Sequence, residues 1–305
     1  MTNEHQQQKQ QQQLVVSLTD SSSISSSIKD DDAVSSTTTP ARVGGKASSL
    51  AKLFAIDYGL GGGSSSVVPK AYALTVDFFQ PWINEMKLSS NFKSLITSLQ
   101  IIGISTDDDD DDDNNSNNNN NNKGDEELLC KKLQNSSYKL TLSKEQTDVI
   151  QMLVNEMNSS SWNTPNLAAV RSSAPEEDGV VSSFAGAFDT CLGVGSTFNE
   201  LEKAIRICFA SLWDYRVFHY KQMNNTNAGS GSGSNSDSNG SSNGSAASFT
   251  TNDNIIGGFA VVVMEMIDSQ IAGVAFSANP LNSDRDEMVI DSVCFIVYLL
   301  FRSFR

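Results

Sequence analysis

The sequence predicts an α+β fold that is interrupted by low-complexity insertions, and three kinds of pattern lead to that prediction. Two capping boxes, Ser143–Gln146 and Thr197–Glu200, each precede apolar residues at helical spacing. The runs 167–170 and 259–266 have the apolar, Val-containing composition of short buried strands. Tracts rich in Gln, Ser, Asp and Asn separate these segments. We expect such tracts to be disordered, because they cannot bury enough apolar surface to offset their ordering entropy.

These tracts divide the 305 residues into a tail, one domain and two insertions. We expect residues 1–40 to form a disordered N-terminal tail and residues 41–291 to form the domain. Disordered insertions are expected over residues 105–124 and 224–254, since surface loops tolerate added length at small entropic cost. Residues 292–305 follow as an apolar tail of atypical composition.

Composition excludes several classes of function. The net charge is −15, and Asp107–Asp113 supply seven of the negative charges; we interpret this run as a solvated insertion, with magnesium binding or a protein contact as alternatives. No basic stripe indicates nucleic-acid binding, and the longest apolar run, Val293–Phe301, is too short to span a membrane. The four cysteines have no C-x-x-C spacing, which favours reduced thiols and a cytoplasmic location.

The first half of the domain is predicted to alternate helices and strands. After Gly44-Gly45-Lys46, a helix should place Leu50, Leu53 and Phe54 on one face. A short strand is predicted over residues 71–76. Asp77 is then expected to cap a helix that runs to about Met86, with aromatic side chains, Phe78, Phe79 and Trp82, facing the core.

The second half is predicted to begin with a helix over residues 144–157 and a short strand over 167–170 that presents Arg171. A long helix should follow from Phe198 to about Met223. The segments 259–266 and 271–276 are expected to pair as an antiparallel hairpin. A third short strand is predicted over residues 288–291.

Lys46 is the first candidate for chemistry, because a lysine after two glycines can reach a phosphate without obstruction from the backbone. The segment is not a Walker A loop, since Ala47 stands where that motif has Ser or Thr. The alternative interpretation is a plain loop that starts a helix.

Arg171 is the second candidate. It lies within Ala169–Asp178, which combines one guanidinium, two hydroxyls and three acids, and Ser183–Gly186 follows closely. An arginine flanked by hydroxyls can hold a phosphate in two directions. The alternative is a surface salt bridge to one of the acids at positions 176–178.

The remaining candidates lie near the C-terminal end of the predicted domain. The run Val261–Met266 is typical of a buried strand, and Asp291 ends a later strand. Arg216 either supports a site or forms a structural salt bridge. His219 lies alone on a predicted helix, which is more typical of a packed or surface residue than of a catalyst.

Taken together, these motifs resemble the N-terminal ATP-binding domain of phosphoenolpyruvate synthase and pyruvate phosphate dikinase. That family has Gly-Gly-Lys with small residues and Leu, then Val-Pro, as Gly44–Leu50 and Val68-Pro69 have here. It also has Val-Arg-Ser-Ser, an acidic pair and Ser-Phe-Ala-Gly in that order. Ala-Gly-Val-x-Phe, Asn-Pro and a strand ending in an acid complete the resemblance, and here they are Ala272–Phe276, Asn279-Pro280 and Val289–Asp291.

The resemblance implies an ATP-grasp-like nucleotide-binding fold with ATP and Mg²⁺ as cofactors. Lys46 and Arg171 would hold the phosphates and act in catalysis, and Ser183 and Gly186 would belong to a loop over the triphosphate. Met264, Glu265 and Met266 would line the adenine. Asp291 would bind the magnesium ion.

The implied reaction moves phosphate from ATP to an enzyme histidine and then to pyruvate. The family's Gly-Leu-Gly-Glu segment, phosphohistidine domain and pyruvate-binding barrel have no counterpart here, so we expect a truncated domain that needs those parts to act on pyruvate or another acceptor. A rifampicin phosphotransferase-like or glucan–water dikinase-like enzyme is the alternative within the enzyme class. A non-catalytic nucleotide-binding remnant is the alternative outside it.

Overall fold

The computed structural model of the chain describes residues 13–19, 38–59, 68–104, 116–159, 162, 166–174, 188–219, 258–282 and 284–294. The chain divides into two units, residues 1–265 and residues 266–305. The elements of the first unit, within the described ranges, are seven helices and five strands: β1 (Val15–Ser17), α1 (Pro40–Val43), α2 (Gly45–Gly59), β2 (Ala71–Leu74), α3 (Val76–Leu88), α4 (Ser90–Ile104), α5 (Ser116–Ser137), α6 (Lys144–Met157), β3 (Leu167–Ser172), β4 (Thr190–Gly195), α7 (Phe198–Ser211) and β5 (Val261–Glu265). Helix α1 is a single turn that leads into α2. The second contains β6 (Ile271–Phe276) and β7 (Val289–Cys294). The mixture of helices with an antiparallel sheet confirms the α+β prediction.

The five strands of the first unit form one sheet in the order β1-β2-β5-β3-β4, with every neighbouring pair antiparallel. The latest strand in the sequence, β5, lies at the centre, and β2 and β3 occupy its two hydrogen-bonding edges. The predicted hairpin between 259–266 and 271–276 is therefore wrong. A fully buried valine run belongs inside a sheet, whereas β6 is largely exposed and pairs with β7 instead.

The edge strand β1 corrects the prediction that ordered structure begins near Ala41. Val15 and Val16 are buried, and β1 pairs with β2 in the register Val15↔Leu74. Backbone hydrogen bonds from Leu18 to Ala71 and from Thr75 to Leu14 extend this pairing at both ends. The apolar group at 14–18 buries against the sheet even though polar tracts flank it in the sequence.

One side of the sheet, named here the aromatic face, carries the larger core. Helices α3, α6 and α7 cover it. Buried rings on this face include those of α3, of α7 and the turn after it, and of the segment before β5: Phe78, Phe79, Trp82, Phe209, Trp213 and Phe259. The prediction that the aromatic residues of α3 face the core is confirmed. The cap of α3 is Thr75 rather than Asp77, which lies in the first turn.

The opposite side, named here the α2 face, is packed with small side chains. Val43 and Ala47 contact strand residues, Ala71, Ala73 and Val262, and Leu50 packs at the margin. The predicted apolar face of α2 is wrong in one member, because Leu53 is 54% exposed while Phe54 is buried. Small residues on both surfaces bring α2 close to the strands.

The two capping boxes start α6 and α7. Ser143 accepts from the Gln146 N–H and Gln146 bonds back to the Ser143 N–H, so both halves of the first box are present. Thr197 accepts from the Glu200 N–H at the start of α7. The helix predicted to reach Met223 is shorter, since α7 ends at Ser211 and a turn follows. A separate helical segment then covers residues 215–219, and the Asp214 carboxylate caps it by accepting from the Arg216 N–H.

The predicted insertions fall mostly outside the described residues. Residues 105–115 and 224–254 are not among those that the structure describes. However, the end of the first tract, 116–124, belongs to α5, which corrects the expectation of a loop there. Buried Cys130 and Leu133 anchor the later turns of α5, and helix formation is cooperative once such turns exist.

The second unit is an antiparallel hairpin of β6 and β7 in the register Gly273↔Ser292 and Val274↔Asp291. A Cβ on Gly273 would lie 2.5 Å from the carbonyl oxygen of Asp291. The glycine of the Ala272–Phe276 motif therefore allows the two strands to approach. The predicted third strand over 288–291 is confirmed in position and extends to Cys294.

Candidate nucleotide-binding site

Gly44 lies directly against the carboxyl end of β3. Its φ is 81° and its ψ is 169°, a backbone conformation that is essentially restricted to glycine. A Cβ built on Gly44 would lie only 1.6 Å from the carbonyl oxygen of Ser173. The glycine-lysine segment and the Val-Arg-Ser-Ser segment, which are far apart in the sequence, are thus in direct contact.

Two hydrogen bonds join the first turn of α2 to this end of β3. The Gly45 N–H donates to the Ala174 carbonyl at 3.2 Å, and the Ala47 N–H donates to Ser173 Oγ at 3.0 Å. The first N–H groups of a helix have no partner within the helix, so these oxygens act as its cap. Lys46 lies between the two donors, and its backbone position is therefore set by the residues that follow Arg171.

Arg171 lies on the same side of the sheet as α2. Its register partner on β5 is Val262, which packs in the α2 face, and side chains alternate along a strand, so Arg171 and Ser173 share a face. Arg171 is exposed and Lys46 is half-buried. The fold therefore places the Lys46 backbone on the side of the sheet to which strand alternation assigns Arg171.

The three predicted adenine-lining residues are not brought together on one face. Met264 packs at the margin of the α2 face, where its register partner is Ala169. Glu265 lies on the opposite face, is buried, and donates its N–H to the Lys70 carbonyl at 2.8 Å. Met266 is the first residue of the second unit. Of the three, Met264 is the residue that shares a face with Arg171.

The other predicted site residues lie outside the described ranges or in the second unit. Ser183 and Gly186, together with the acids at 176–178, lie outside the described residues. Asp291 is an exposed residue of β7 in the second unit. Within the described ranges, no group of three His, Cys, Asp or Glu side chains could hold a metal ion. One carboxylate does not make a magnesium site by itself, since the ion needs octahedral coordination.

Arg216 and His219 occupy structural positions. Arg216 Nε lies 3.0 Å from Asp214 Oδ1, so the salt-bridge alternative is the one observed. Burial raises the pKa of Asp214, but hydrogen bonds from Arg216 outweigh it and leave that pKa below its ordinary value. The imidazole of His219 stacks on Tyr215 with ring centroids 5.6 Å apart.

Sequence reasoning missed two serines near the start of α2. Ser173 was interpreted only as a hydroxyl beside Arg171, because nothing in a local string shows that it caps a helix 126 positions away. Ser48 is 1% exposed, and its Oγ has no hydrogen-bond partner among the described residues. A buried hydroxyl without a partner is uncommon, and a ligand oxygen or a water molecule would satisfy it.

The sequence of the chain matches a known family. Residues 40–294 match the family described as pyruvate phosphate dikinase, AMP/ATP-binding domain. The chain belongs to this family. The AMP/ATP-binding domain covers most of the chain, and the match confirms the resemblance inferred from the motifs.

Named relatives of this AMP/ATP-binding domain include phosphoenolpyruvate synthases. A probable phosphoenolpyruvate synthase of Methanocaldococcus jannaschii is 23% identical over 256 residues, which cover 82% of this chain and 16% of that protein. The phosphoenolpyruvate synthase of Aeropyrum pernix is 31% identical over 125 residues, covering 41% and 12%. The prodigiosin synthesizing transferase PigC of Serratia marcescens is 36% identical over 124 residues, covering 41% and 11%.

The chain therefore aligns with less than a fifth of the length of these relatives. None of the helices in the described ranges has the length and apolarity that crossing a bilayer would require.

Proposed function

We propose that this AMP/ATP-binding domain holds ATP for a phosphoenolpyruvate synthase-like phosphotransferase and has an ATP-grasp-like architecture. In the proposed reaction, phosphate passes from ATP to an enzyme histidine and then to pyruvate. Family membership supports ATP as the ligand. The histidine and the pyruvate site would be supplied by parts of the enzyme beyond this domain. A cytoplasmic location remains a prediction from the cysteine spacing.

The contact between Gly44 and Ser173 is the observation that carries this proposal. It joins the segment that contains Lys46 to the segment that contains Arg171, and both lie on the α2 face. Two cations at a fixed spacing suit a polyphosphate. The guanidinium of Arg171 can bind two phosphate oxygens at once, whereas the ammonium of Lys46 acts as a point charge.

In the proposed site, these two side chains neutralise negative charge as the phosphate is transferred. Met264 offers an apolar surface to the adenine ring on the same face. Ser183 and Gly186 are proposed to belong to a loop that covers the triphosphate. From the family resemblance, Asp291 is proposed to supply one carboxylate to Mg²⁺.

The comparisons bear on the choice of phosphate acceptor. The alignment with a probable phosphoenolpyruvate synthase extends over 82% of the chain and favours pyruvate. The 36% identity with the prodigiosin synthesizing transferase PigC, over a shorter stretch, favours a different acceptor class. Acceptors such as rifampicin or glucan, and a purely nucleotide-binding role, remain predicted alternatives.

Lys46→Ala tests the proposal most directly. A thermal-shift titration of the full chain with Mg-ATP should raise the Tm of the wild type, because a ligand at a hundredfold its Kd stabilises the folded state by about 2.7 kcal/mol. We expect Lys46→Ala to abolish most of this shift. Lys52→Ala is the matched control, since Lys52 is an exposed lysine on the same helix.

Arg171 gives an independent arm of the same titration. Arg171→Ala should weaken ATP binding, and Arg171→Lys should recover only part of it, because lysine lacks the fork that binds two oxygens. Absence of any ATP-dependent shift in the wild type, or equal shifts in Lys46→Ala and Lys52→Ala, would contradict the proposed site.

A further inference from the structure

We propose that Ser173 is a positioning residue that fixes Lys46 relative to Arg171 for contact with the ATP phosphates. The inference rests on the proposed roles of those two cations. Ser173 itself is fully buried at the junction of β3 and α2. It acts through the helix that carries Lys46 and does not contact the nucleotide.

The reason lies in how α2 begins. The residue before a helix usually supplies the capping oxygen from its own side chain. Here that residue is Gly44, which has no side chain, and the Ser173 carbonyl fills the space that a Cβ would need. The Ser173 carbonyl therefore leaves no room for a capping side chain at position 44. The Ser173 hydroxyl provides the cap instead, with its oxygen 3.0 Å from the Ala47 nitrogen.

This arrangement couples the two phosphate-binding segments through a short, rigid path. Ser173 is two residues from Arg171, about 7 Å along an extended chain. Its own N–H donates to the Ala260 carbonyl at 2.8 Å, which ties it to the residue directly before β5. Holding two cations at a fixed spacing removes an ordering cost from the binding of a polyphosphate.

The same cap also changes how the helix end can recognise phosphate. Helix N-termini often bind anions with their first N–H groups. In α2, the N–H groups of Gly45 and Ala47 already donate to protein oxygens. Recognition of phosphate therefore falls to the side chains of Lys46 and Arg171 and not to these two N–H groups.

Ser173→Ala in the full chain tests the inference, with Ser172→Ala as the matched control. Both serines are buried. Ser172 is the last residue of β3 and Ser173 follows it, so the two side chains alternate in direction, and the Ser173 hydroxyl is the one that caps α2. In the protein without ligand, amide hydrogen exchange at Ala47 should become about tenfold faster in Ser173→Ala, because its N–H loses its acceptor. Exchange in Ser172→Ala should stay close to the wild-type rate.

The second readout compares ATP with adenosine, which lacks phosphates. Ser173→Ala should weaken ATP binding about fivefold while adenosine binding stays the same, because only the phosphates depend on the position of Lys46. A defect in the folding of the domain would lower the affinity for ATP and for adenosine by the same factor.

The outcomes separate this inference from the proposed function. Unchanged exchange at Ala47, or an equal loss of ATP and adenosine affinity, overturns the positioning role even if the wild type binds ATP. A wild type that binds no ATP overturns both the proposed function and the positioning role, while faster exchange at Ala47 would still establish the cap.

Discussion

The two faces of the five-stranded sheet are packed by side chains of different size. On the aromatic face, Phe79 stacks on Phe209 at 5.6 Å and both contact Trp82. On the α2 face, Ala47, Ala71 and Ala73 separate the helix from the strands. Large rings bury the most apolar surface, whereas small side chains permit the backbone approach of Gly44 to Ser173.

This difference suggests a division between stability and binding. The residues that support the proposed phosphate contacts lie on the α2 face, where little apolar surface is available to stabilise the fold. The aromatic face contributes that stability, and among the residues that the structure describes, buried Glu265 is the one predicted site residue on it. Substitutions on the two faces should therefore change different properties, unfolding free energy on one and ATP affinity on the other.

The largest effect is expected from Phe209→Ala. Phe209 is fully buried and lies within 5.8 Å of Phe79, Trp82 and Phe259, measured between ring centroids. Removing such a ring from a packed core typically costs about 3–5 kcal/mol. Urea denaturation measures the loss.

Leu53→Ala is the control for Phe209→Ala, because Leu53 is a large apolar residue that is 54% exposed, and it should change stability by about 0.5 kcal/mol or less. A cost below about 1 kcal/mol for Phe209→Ala would remove the proposed contrast between the faces.

An intermediate effect is expected from Gly44→Ala on the α2 face. The new Cβ would collide with the Ser173 carbonyl in a backbone conformation that alanine rarely adopts, at a cost of about 2–3 kcal/mol. The ATP-dependent thermal shift should fall as well, because the end of α2 must move away from β3.

Gly124→Ala is the matched control for Gly44→Ala. Gly124 lies within α5, and a Cβ there would meet nothing within 4 Å. Alanine should stabilise that helix by about 0.5–1 kcal/mol. Equal behaviour of the two glycines in a thermal melt would show that the close approach at Gly44 is not a constraint.

The smallest effect is expected from Glu126→Gln, a change in the charge of a buried group on α5. Burial raises the pKa of Glu126 above its ordinary 4.5, and the nearby His219 lowers it in part. The folded state then binds the proton more tightly than the unfolded state, so this group's contribution to stability is full below pH 4.5 and is lost as pH rises above it. Because glutamine stays neutral, we expect Glu126→Gln to raise the Tm at neutral pH by about 1–3 °C and to match the wild type near pH 4.

Glu127→Gln is the control for Glu126→Gln. Glu127 forms an exposed pair with Lys131, which contributes little at any pH. A gain from Glu126→Gln that is the same at acidic and neutral pH would contradict the assigned cause, because packing and not charge would then be responsible.

Local signals in the sequence predicted the local parts of this structure. The Ser143–Gln146 box starts α6, the aromatic residues of α3 face the core, and the motif order identifies the family. The capping box and the aromatic face of α3 each depend on residues within a few positions of one another, and each family motif is likewise a short local string. The end of α7 was missed because its apolar periodicity continues through Leu212 and Tyr215, past the turn where the helix stops.

Long-range partners could not be read from the sequence in the same way. A run of valines indicates a buried strand but does not identify its neighbours. The sequence therefore did not show that β5 pairs with β2 and β3 instead of forming a hairpin with the next apolar run. The site shows the same limit. Lys46 and Arg171 were found as motifs, but the cap from Ser173 joins segments 126 positions apart and has no local pattern. Likewise, alternation along β5 separates Met264 from Glu265, which a list of motif residues does not reveal.

The central place of β5 also has a consequence for biosynthesis. Leu74 on β2 pairs with Val261 on β5, which is synthesised much later. A ribosome that adds roughly 5–20 residues per second needs about ten seconds or more to proceed from Leu74 to Val261. The inner edge of β2 is without this neighbour throughout that interval, and the inner edge of β3 is without it during the later half. A nascent chain of this kind is a natural client for chaperones that shield unpaired strands, and slow synthesis over the intervening polar tracts would lengthen its exposure.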